Sequence, residues 1–387
     1  MALAVNDDLR SDLQLAPGMR ERTPAMVHRM TEAINKLRQL MKLYNVEERD
    51  YPVMEYRERL MKKYGDDEKL IFDLACEGPL SLRYDLTTQY ALYDQRNTSK
   101  TFQVGKVYRR ETSSQVNNRW REFYQFDVDF KTDDRAVDLC ELFDMLVRGL
   151  HDLQLQGNYK ILINSRRLLE TIIVQECGVP VSQFSDVCVS LDKLDKIGWD
   201  GVLNEWSSKT IQCRDNDLNL IRQRIESYQA DKQFVDLKNL IESYCGHEVT
   251  WSRTLVRGLA YYTDMIWEVV HVPSGLTICG GGEYDTNRCG ISFGLDRMLD
   301  LISVPCNDDD VRTIIAVGDQ GRELALLIAK DMRTQNIPMN IVTIDTHKKI
   351  RNAMGKLKKK YGPNSPCCIL AEKEIKIYTE NGTLEWK

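Results

Sequence analysis

Hydrophobic positions in residues 25–44 recur at alternating steps of three and four, which is the spacing of one face of an α-helix. These positions are Val27, Met30, Ile34, Leu37, Met41 and Tyr44. The helix leads to Asp50-Tyr-Pro-Val-Met54, where Pro52 prevents a helix from continuing and suits the end or the edge of a strand. The pattern predicts a long amphipathic helix followed by a strand.

Short β-rich runs follow in two later regions. Residues 101–131 place such runs on both sides of a polar loop at 112–118, which predicts an antiparallel pair of strands. A second β-rich stretch, 255–272, ends at the turn signal Pro273-Ser-Gly275 and resumes at 276–279. These runs indicate the strands of one antiparallel sheet.

The remaining pattern divides the chain into domains. Residues 290–302 have the pattern of a strand passing into a helix, whereas residues 160–250 are largely helical and charged, as in an inserted domain. The segment Val304-Pro-Cys-Asn-Asp-Asp-Asp310 combines a proline with an acidic run and predicts a linker. The predicted core is therefore formed by residues 1–160 and 251–304, and the insertion by residues 161–250.

Residues 311–387 predict a small α/β domain with parallel strands, because buried strands alternate with helices there. The predicted strands are residues 313–317, 339–344 and 367–370, and the predicted helices are residues 321–335 and 348–361.

Composition excludes several classes of protein. The chain has 387 residues and 42% hydrophobic residues, which suits an ordinary packed core in two or three domains. Its start lacks a basic segment followed by an apolar run, and no stretch reaches the ~18 apolar residues of a membrane span, so we expect a cytoplasmic protein with no membrane association. The 11 cysteines contain no CxxC pair and the 5 histidines no HExxH motif, so we expect free thiols and no bound zinc.

Charge is unevenly distributed along the chain. The formal net charge is −5, yet residues 311–387 carry 14 lysines and arginines against 8 aspartates and glutamates, a net charge of +6 that leaves −11 for the rest. A basic C-terminal domain on an acidic body is compatible with a nucleic-acid partner. A merely solvated domain is the alternative.

The predicted hairpin carries the candidate chemistry. Period-2 alternation places Arg109 and Glu111 on one face of its first strand, and groups Arg121, Gln125 and Asp129 on the second. A guanidinium binds phosphate in a bidentate manner, and a carboxylate suits a cationic or donor-rich ligand. The pattern is therefore compatible with a phosphorylated substrate and a small amine, and the alternative is a solvated sheet face.

Six segments in sequence order resemble the motifs of class II aminoacyl-tRNA synthetases in their histidyl form. They are Leu82-Arg-Tyr-Asp-Leu-Thr87, Val107-Tyr-Arg-Arg-Glu111, Arg119-Trp-Arg-Glu-Phe-Tyr-Gln-Phe-Asp-Val-Asp129, Leu255-Val-Arg-Gly-Leu-Ala-Tyr-Tyr-Thr263, Gly280-Gly-Gly-Glu-Tyr-Asp285 and Gly290-Ile-Ser-Phe-Gly-Leu-Asp-Arg297. The helix and strand around Pro52 resemble motif 1, which usually forms the dimer interface. This resemblance to the histidyl-tRNA synthetase family extends over nearly the whole chain. It implies an α+β fold, with a class II antiparallel catalytic sheet flanked by helices, a helical insertion and a C-terminal α/β anticodon-binding-like domain.

The resemblance assigns the ATP site to charged residues of these motifs. Arg109, Glu111 and Arg121 would bind ATP, with Arg109 at the α-phosphate. Arg297 would bind the terminal phosphates, and Arg257 would lie against the α-phosphate, where the family uses it in place of one metal ion. Arg109, Arg257 and Arg297 are thus the implied catalytic residues.

The resemblance also assigns a histidine site. Asp85, Thr87 and Gln125 would hold the α-amino group, whereas Asp129 and Tyr262 would contact the imidazole, whose two nitrogens need polar partners. The full implied set is Asp85, Thr87, Gln125, Asp129, Arg257, Tyr261 and Tyr262. Without the neighbouring motifs, the two tyrosines would be ordinary strand aromatics and Gly280–Gly282 a plain turn or bulge.

The implied reaction needs positioning and charge neutralisation and no nucleophilic side chain. Its substrates are L-histidine, ATP with Mg²⁺, and tRNA(His), and the implied assembly is a homodimer. Within the C-terminal domain, a lysine-rich helix would follow tRNA phosphates unless it is only a solvated face. Its basic residues are Lys348, Lys349, Arg351, Lys356, Lys358, Lys359 and Lys360.

Four departures from the family pattern leave a second function open. Ala260 stands where the family usually has aspartate, Glu283 stands where it usually has arginine, the loop 286–289 is short, and the chain has little room for a terminal helix. The alternative is a catalytically weak paralogue that senses histidine or uncharged tRNA. A third class, a nucleic-acid-binding scaffold without small-molecule chemistry, would leave Asp85, Gln125 and Asp129 unexplained.

Overall fold

The computed structural model divides the chain into two compact units, Met1–Val304 and Pro305–Lys387. It describes residues 15–64, 69–75, 78–94, 96, 99–114, 119–131, 134–257, 261–301, 312–345, 349, 352–356, 367–371, 374–379 and 382–386. The first unit contains the helices α1 Pro24–Leu43, α2 Arg57–Tyr64, α3 Thr87–Tyr93, α4 Arg135–Asp152, α5 Arg166–Glu170, α6 Val181–Leu191, α7 Leu194–Ser208, α8 Leu218–Ser227, α9 Lys232–Cys245 and α10 Leu295–Leu299. Its strands are β1 Glu47–Glu48, β2 Met54–Tyr56, β3 Leu80–Leu82, β4 Ser99–Tyr108, β5 Glu122–Lys131, β6 Tyr159–Ser165, β7 Val249–Trp251, β8 Tyr262–His271, β9 Leu276–Tyr284 and β10 Arg288–Gly294.

An eight-stranded sheet is the centre of the first unit. Its strand order is β1-β4-β5-β10-β9-β8-β6-β7, and the six strands from β4 to β6 pair with their neighbours in an antiparallel manner. The hairpin β4-β5 and the strand β10 followed by α10 confirm the sequence prediction. The run predicted from residue 255 begins as a strand only at Tyr262, so residues 255–257 are available for a loop over the sheet.

One face of this sheet is covered by α1 and α4. Both helices begin at a capping side chain, because Thr23 accepts a hydrogen bond from the Met26 amide and Asp134 accepts bonds from the amides of Ala136 and Val137. Leu37 and Met41 of α1 are fully buried in the core, as are several aliphatic residues of α4. Val27, which the periodicity assigned to the same face, is 50% exposed.

The segment between β6 and β7 is helical, as its composition predicts. It runs from α5 through a π-helical turn, Thr171–Glu176, to α9. Its two flanking strands, β6 and β7, form the edge of the large sheet beside β8, so the insertion is anchored in this sheet at both ends.

The second unit is an α/β domain with a five-stranded sheet. The elements are β11 Arg312–Val317, α11 Gly318–Thr334, β12 Met339–Ile344, β13 Cys367–Ala371, β14 Glu374–Thr379 and β15 Gly382–Trp386. The parallel order β12-β11-β13 confirms the three predicted strands, whereas the antiparallel pair β14-β15 was missed.

The predicted lysine-rich helix is described only in part. Residues 352–356 are helical, and they include Lys356. Lys348, Arg351 and Lys358–Lys360 lie outside the described residues, as do Ala260 and the linker residues 304–310. No helix in the described ranges combines the length and the apolar character needed to cross a bilayer.

Candidate active site

The face of the sheet opposite α1 and α4 is polar. Alternation along four neighbouring strands puts one row of side chains on this face, because Asp127 of β5 lies opposite Ser292 of β10, Ser292 opposite Gly280 of β9, and Gly280 opposite Glu268 of β8. A parallel row contains Asp129, Gly290, Gly282 and Ile266. The register therefore places residues of three recognised segments, on β5, β9 and β10, on one surface beside β8.

One end of this surface is rich in guanidinium groups. Arg109 donates from Nε to the Tyr84 carbonyl at 3.1 Å, and its guanidinium lies 4.3 Å from the centre of the Tyr84 ring. Glu111 lies 3.8 Å from Arg109 and 3.2 Å from Arg119. Burial lowers the pKa of Arg297, and the nearby positive charges of Arg119 and Arg109 lower it further. An anion would relieve this concentration of positive charge.

Arg121 lies at the edge of the same end. Its Nε donates to the Glu111 carbonyl at 3.1 Å and its Nη1 donates to the Pro17 carbonyl at 3.3 Å. Its backbone amide also donates to the Gly18 carbonyl at 2.9 Å. In this structure Arg121 thus holds the segment before α1 against the hairpin.

Arg257 lies over the glycine strand β9. Its guanidinium pairs with Glu268, and a Cβ atom on Gly280 would come within 2.6 Å of its Nη1. Burial opposes the charged form of Arg257, but the nearby Tyr262 and Glu268 outweigh burial and raise its pKa. A Cβ atom on Gly282 would likewise lie 2.5 Å from the Tyr262 ring. The glycines therefore make room for these two side chains.

The same surface also carries acceptors. Asp85 is buried and accepts hydrogen bonds from the amide of Thr88 at 3.1 Å and from its hydroxyl at 3.2 Å. The Tyr261 hydroxyl lies 3.5 Å from the other carboxylate oxygen of Asp85. Thr87 is the first residue of α3 and is half-buried. Asp85 and Tyr261, from two different motifs, are thus brought together.

Gln125 and Asp127 extend this acceptor surface. The Gln125 amide donates to the Ser292 hydroxyl at 2.8 Å. Asp127 is only 2% exposed, and burial raises its pKa to about 7, with Asp85 adding to the shift while Ser292, Arg109 and Arg83 oppose it. Such a pKa is unusual for a carboxyl group and is typical of functional sites.

Asp129 is held inside the protein by two side chains. The Tyr284 hydroxyl donates to one carboxylate oxygen, and Arg288 Nη1 donates to the other at 2.5 Å. Arg288 also donates to the Asp94 carbonyl at 2.6 Å. Burial raises the pKa of Asp129 to about 6, although Arg288 and Tyr284 both favour the charged form.

The short turn between β9 and β10 explains why Arg288 reaches this position. The turn consists of residues 285–287, in which Asp285 and Asn287 adopt positive φ angles of 53° and 64°. This connection pairs Arg288 directly with Tyr284 across the two strands. The two side chains therefore share one face of the sheet and meet at Asp129.

Glu283, which stands where the family usually has arginine, does not lie on this polar face. It points to the opposite face of the sheet, because β9 places its side chain on the other side from Gly282 and Tyr284. There it accepts a hydrogen bond from the Met265 amide at 2.8 Å and forms two hydrogen bonds with Arg135 of α4. Glu283 thus anchors the start of α4.

Sequence reasoning did not single out several residues that the structure brings to this surface. Asp127 lies on the same strand face as Gln125 and Asp129, so period-2 alternation of the sequence was sufficient to identify it. Ser292 and Tyr284 lie inside recognised motifs. Arg288 has no local signal, because its contact with Asp129 depends on the pairing of β5 with β10.

The family model of histidyl-tRNA synthetase matches residues 18–296. The chain belongs to the histidyl-tRNA synthetase family. It is 30% identical over 351 residues to the cytoplasmic histidine–tRNA ligase of Takifugu rubripes, covering 75% of this chain and 67% of that protein. It is 31% identical over 336 residues to the mitochondrial histidine–tRNA ligase of Bos taurus, covering 74% of this chain and 66% of that protein. The chain thus spans about two thirds of the length of these relatives.

Solved structures of this family have the same fold. The histidyl-tRNA synthetase of Nostoc sp. PCC 7120 superimposes with a TM-score of 0.70 at 18% identity, covering 97% of this chain and 96% of that one. An ATP phosphoribosyltransferase regulatory subunit/histidyl-tRNA synthetase from Bacillus halodurans gives 0.69 at 18% identity, covering 89% and 96%. The predicted α+β fold with a class II catalytic sheet is therefore confirmed.

Proposed function

We propose that this protein is a histidine–tRNA ligase, which activates L-histidine with ATP and transfers it to tRNA(His). The observation that carries the proposal is the polarity of one sheet face. The guanidinium groups of Arg109 and Arg297 lie close together, and the buried acceptors Asp85 and Gln125 lie near them. An amino acid bound between them would direct its carboxylate toward the α-phosphate of ATP and its ammonium toward the acceptors.

The residues of the site would neutralise charge on the substrates and hold the substrates in position. Arg109 and Arg257 would neutralise the charge that develops on the α-phosphate, and Arg297 that of the terminal phosphates, as in other phosphate-transfer sites. Asp129, Tyr261 and Tyr262 would shape the imidazole subsite. Arg288 and Tyr284 already donate hydrogen bonds to the Asp129 carboxylate. An imidazole N–H would therefore donate to a remaining lone pair of this carboxylate or replace one of the two donors.

The magnesium ion expected with ATP fits the donor set at the arginine end. Glu111 and Glu268 are both close enough to Arg297 to raise its pKa, and carboxylates are the hard oxygen ligands that Mg²⁺ prefers. Together with the phosphates they would hold the ion, which would reduce the negative charge of the nucleotide.

ATP–pyrophosphate exchange with each of the twenty amino acids tests this function. We expect exchange with L-histidine that depends on Mg²⁺, and we expect Arg257→Ala to lower it by about 10²- to 10³-fold, the usual loss when a charge aimed at a developing anion is removed. Arg224→Ala, an exposed arginine of α8, is the matched control and should retain activity. Exchange with another amino acid but not with histidine would refute the specificity.

The alternative function is a paralogue that senses histidine or uncharged tRNA. The retained Arg109, Arg257 and Arg297 argue against it, because a sensor that makes no adenylate has no need of them. Binding of histidine without any exchange would favour the sensor.

The assembly and the location are also proposals. Val53, Met54, Tyr56 and Tyr93 leave apolar surface exposed next to α2 and α3, which supports a homodimer through motif 1. Light scattering that shows a monomer at micromolar concentration would contradict it. A cytoplasmic location agrees with the free cysteines in the described ranges, and cell fractionation tests it.

A further inference from the structure

Asp127 is a buried carboxylate whose hydrogen-bonding capacity the protein leaves unused. Its side chain is 2% exposed, and neither of its oxygens has a donor in hydrogen-bonding geometry among the described residues. Gln125, two residues earlier on the same face, is 7% exposed, and its carbonyl oxygen has no donor within the described part of the chain. Buried polar atoms are nearly always paired, so these unpaired acceptors indicate a missing donor.

The neighbouring carboxylates are in a different state. Asp129, which follows on the same strand face, receives hydrogen bonds from both Tyr284 and Arg288 and is therefore occupied. Asp85 uses one oxygen for Thr88, and among the described residues its second oxygen has the Tyr261 hydroxyl at 3.5 Å as its single hydrogen-bond neighbour. Acceptor capacity thus remains on Asp85, Gln125 and Asp127.

The electrostatics favour a cation among these acceptors. Asp85 is close enough to raise the pKa of Asp127 in addition to burial. Ser292, Arg109 and Arg83 favour the charged form of Asp127, but in the described structure none of them reaches its oxygens in hydrogen-bonding geometry. A bound cation would remove the repulsion between the two carboxylates and supply the missing donors.

An α-ammonium group matches this arrangement better than an imidazole does. An ammonium has three donors, and Asp85, Gln125 and Asp127 offer three acceptors, whereas an imidazole has at most two N–H groups on opposite sides of its ring. We propose that Asp127 binds the α-ammonium group of the amino-acid substrate together with Asp85 and Gln125. This proposal rests on the proposed function, to which it adds a specificity-determining residue.

The substitution Asp127→Asn in the full chain tests the proposal. It keeps the shape of the side chain and removes its charge, so the KM for L-histidine in ATP–pyrophosphate exchange should rise about 10- to 100-fold, the range for a lost charged hydrogen bond. The value of kcat should change only a few-fold, because the ammonium is held equally in the ground state and the transition state.

Two comparisons separate ligand binding from a structural role. Inhibition by imidazole-propionate, which lacks the amino group, should be the same in wild type and Asp127→Asn. Asp138→Asn removes another buried carboxylate, in α4 on the opposite side of the sheet, and should leave the KM for histidine unchanged. An unchanged KM in Asp127→Asn overturns the proposal, and so does a variant with a lower melting temperature in which KM and kcat change together.

A further readout keeps this proposal separable from the proposed function. If the wild type catalyses no exchange, thermal-shift assays with each of the twenty L-amino acids replace the kinetics. Stabilisation of the wild type that is lost in Asp127→Asn but kept in Asp138→Asn supports the role of Asp127, although the ligase function has failed. Stabilisation that persists in Asp127→Asn overturns the role of Asp127, and so does the absence of stabilisation by every amino acid.

Discussion

The carboxyl group of Asp127 should couple the stability of the protein to pH. Its pKa is raised from 3.8 to about 7, first by burial and then by Asp85, so the folded state binds the proton more tightly than the unfolded state. Its contribution to stability is therefore fully present below pH ~4 and is lost as the pH rises through about 7. The described groups that face Asp127 or share its site are Arg83, Asp85, Tyr90, Arg109, Gln125, Asp129 and Ser292.

Asp127→Asn isolates this contribution, because the other groups titrate in both proteins. We expect the variant to have the higher melting temperature at pH 8 and the difference to shrink toward pH 4, since the wild-type carboxyl is then neutral as well. Calorimetry across this range measures the difference. A variant that is less stable than the wild type at pH 8 would contradict the raised pKa.

The buried pair of Arg288 and Asp129 should contribute differently. Arg288→Met would leave the Asp129 carboxylate without its charged partner, and breaking such a pair typically costs about 3–5 kcal/mol. The double variant Arg288→Met/Asp129→Leu should recover much of this loss, because no unpaired charge remains. Urea unfolding of the three variants measures the effect. A loss in Arg288→Met no larger than that in the exposed control Arg148→Met would show that the pair is unimportant.

At the scale of elements, the glycines of strand β9 leave room for the side chains that lie across it. Gly280→Ala would place a Cβ atom 2.6 Å from Arg257 Nη1 and should displace this guanidinium from Glu268. We expect exchange activity to fall by about 10²-fold, as when a charge near a transition state is removed, while the fold is kept. Gly355→Ala is the control, because nothing lies within 4 Å of its Cβ position. Wild-type activity in Gly280→Ala would show that Arg257 need not stay over β9.

The elements differ in how far sequence alone could predict them. The hairpin β4-β5 and helix α1 follow from local periodicity, so their positions agree with the prediction. Strand β8 begins later than predicted, since residues 255–257 have the composition of a strand without its pairing. The pair β14-β15 was missed although Asn381-Gly382, between its two β-rich runs, is a typical hairpin turn sequence.

In the candidate site, too, some residues can be found from a local motif and others only from the pairing of distant strands. The motifs identify Arg109, Gln125 and Arg257 one by one, because each stands in a recognisable segment. The role of Arg288 and the placement of Glu283 on the opposite face depend on strand register and on the length of the turn 285–287. Contacts between such distant segments depend on the register of the folded sheet, which the local sequence does not specify.

At the scale of the whole molecule, chemistry and charge are divided between the two units. All the candidate site residues belong to the first unit, Met1–Val304, whereas residues 311–387 carry the net charge of +6. This division suits a protein in which one unit makes the adenylate and the other contributes to tRNA binding through phosphate contacts. The two functions should therefore respond independently to substitutions.

Charge reversal in the second unit tests this independence in the full chain. Changing four lysines of the predicted basic helix to glutamate should weaken tRNA binding and flatten its dependence on salt, by about 0.9 in the slope of log K against log salt for each phosphate that the protein no longer neutralises. These lysines are Lys356, Lys358, Lys359 and Lys360. Adenylate formation should be unchanged, because no candidate site residue is altered.

The matched control reverses four exposed lysines of the first unit, Lys69, Lys160, Lys196 and Lys232. Equal reductions of tRNA affinity in both variants would mean that net charge alone attracts tRNA, and an unchanged affinity and salt slope in the first variant would mean that tRNA binds elsewhere.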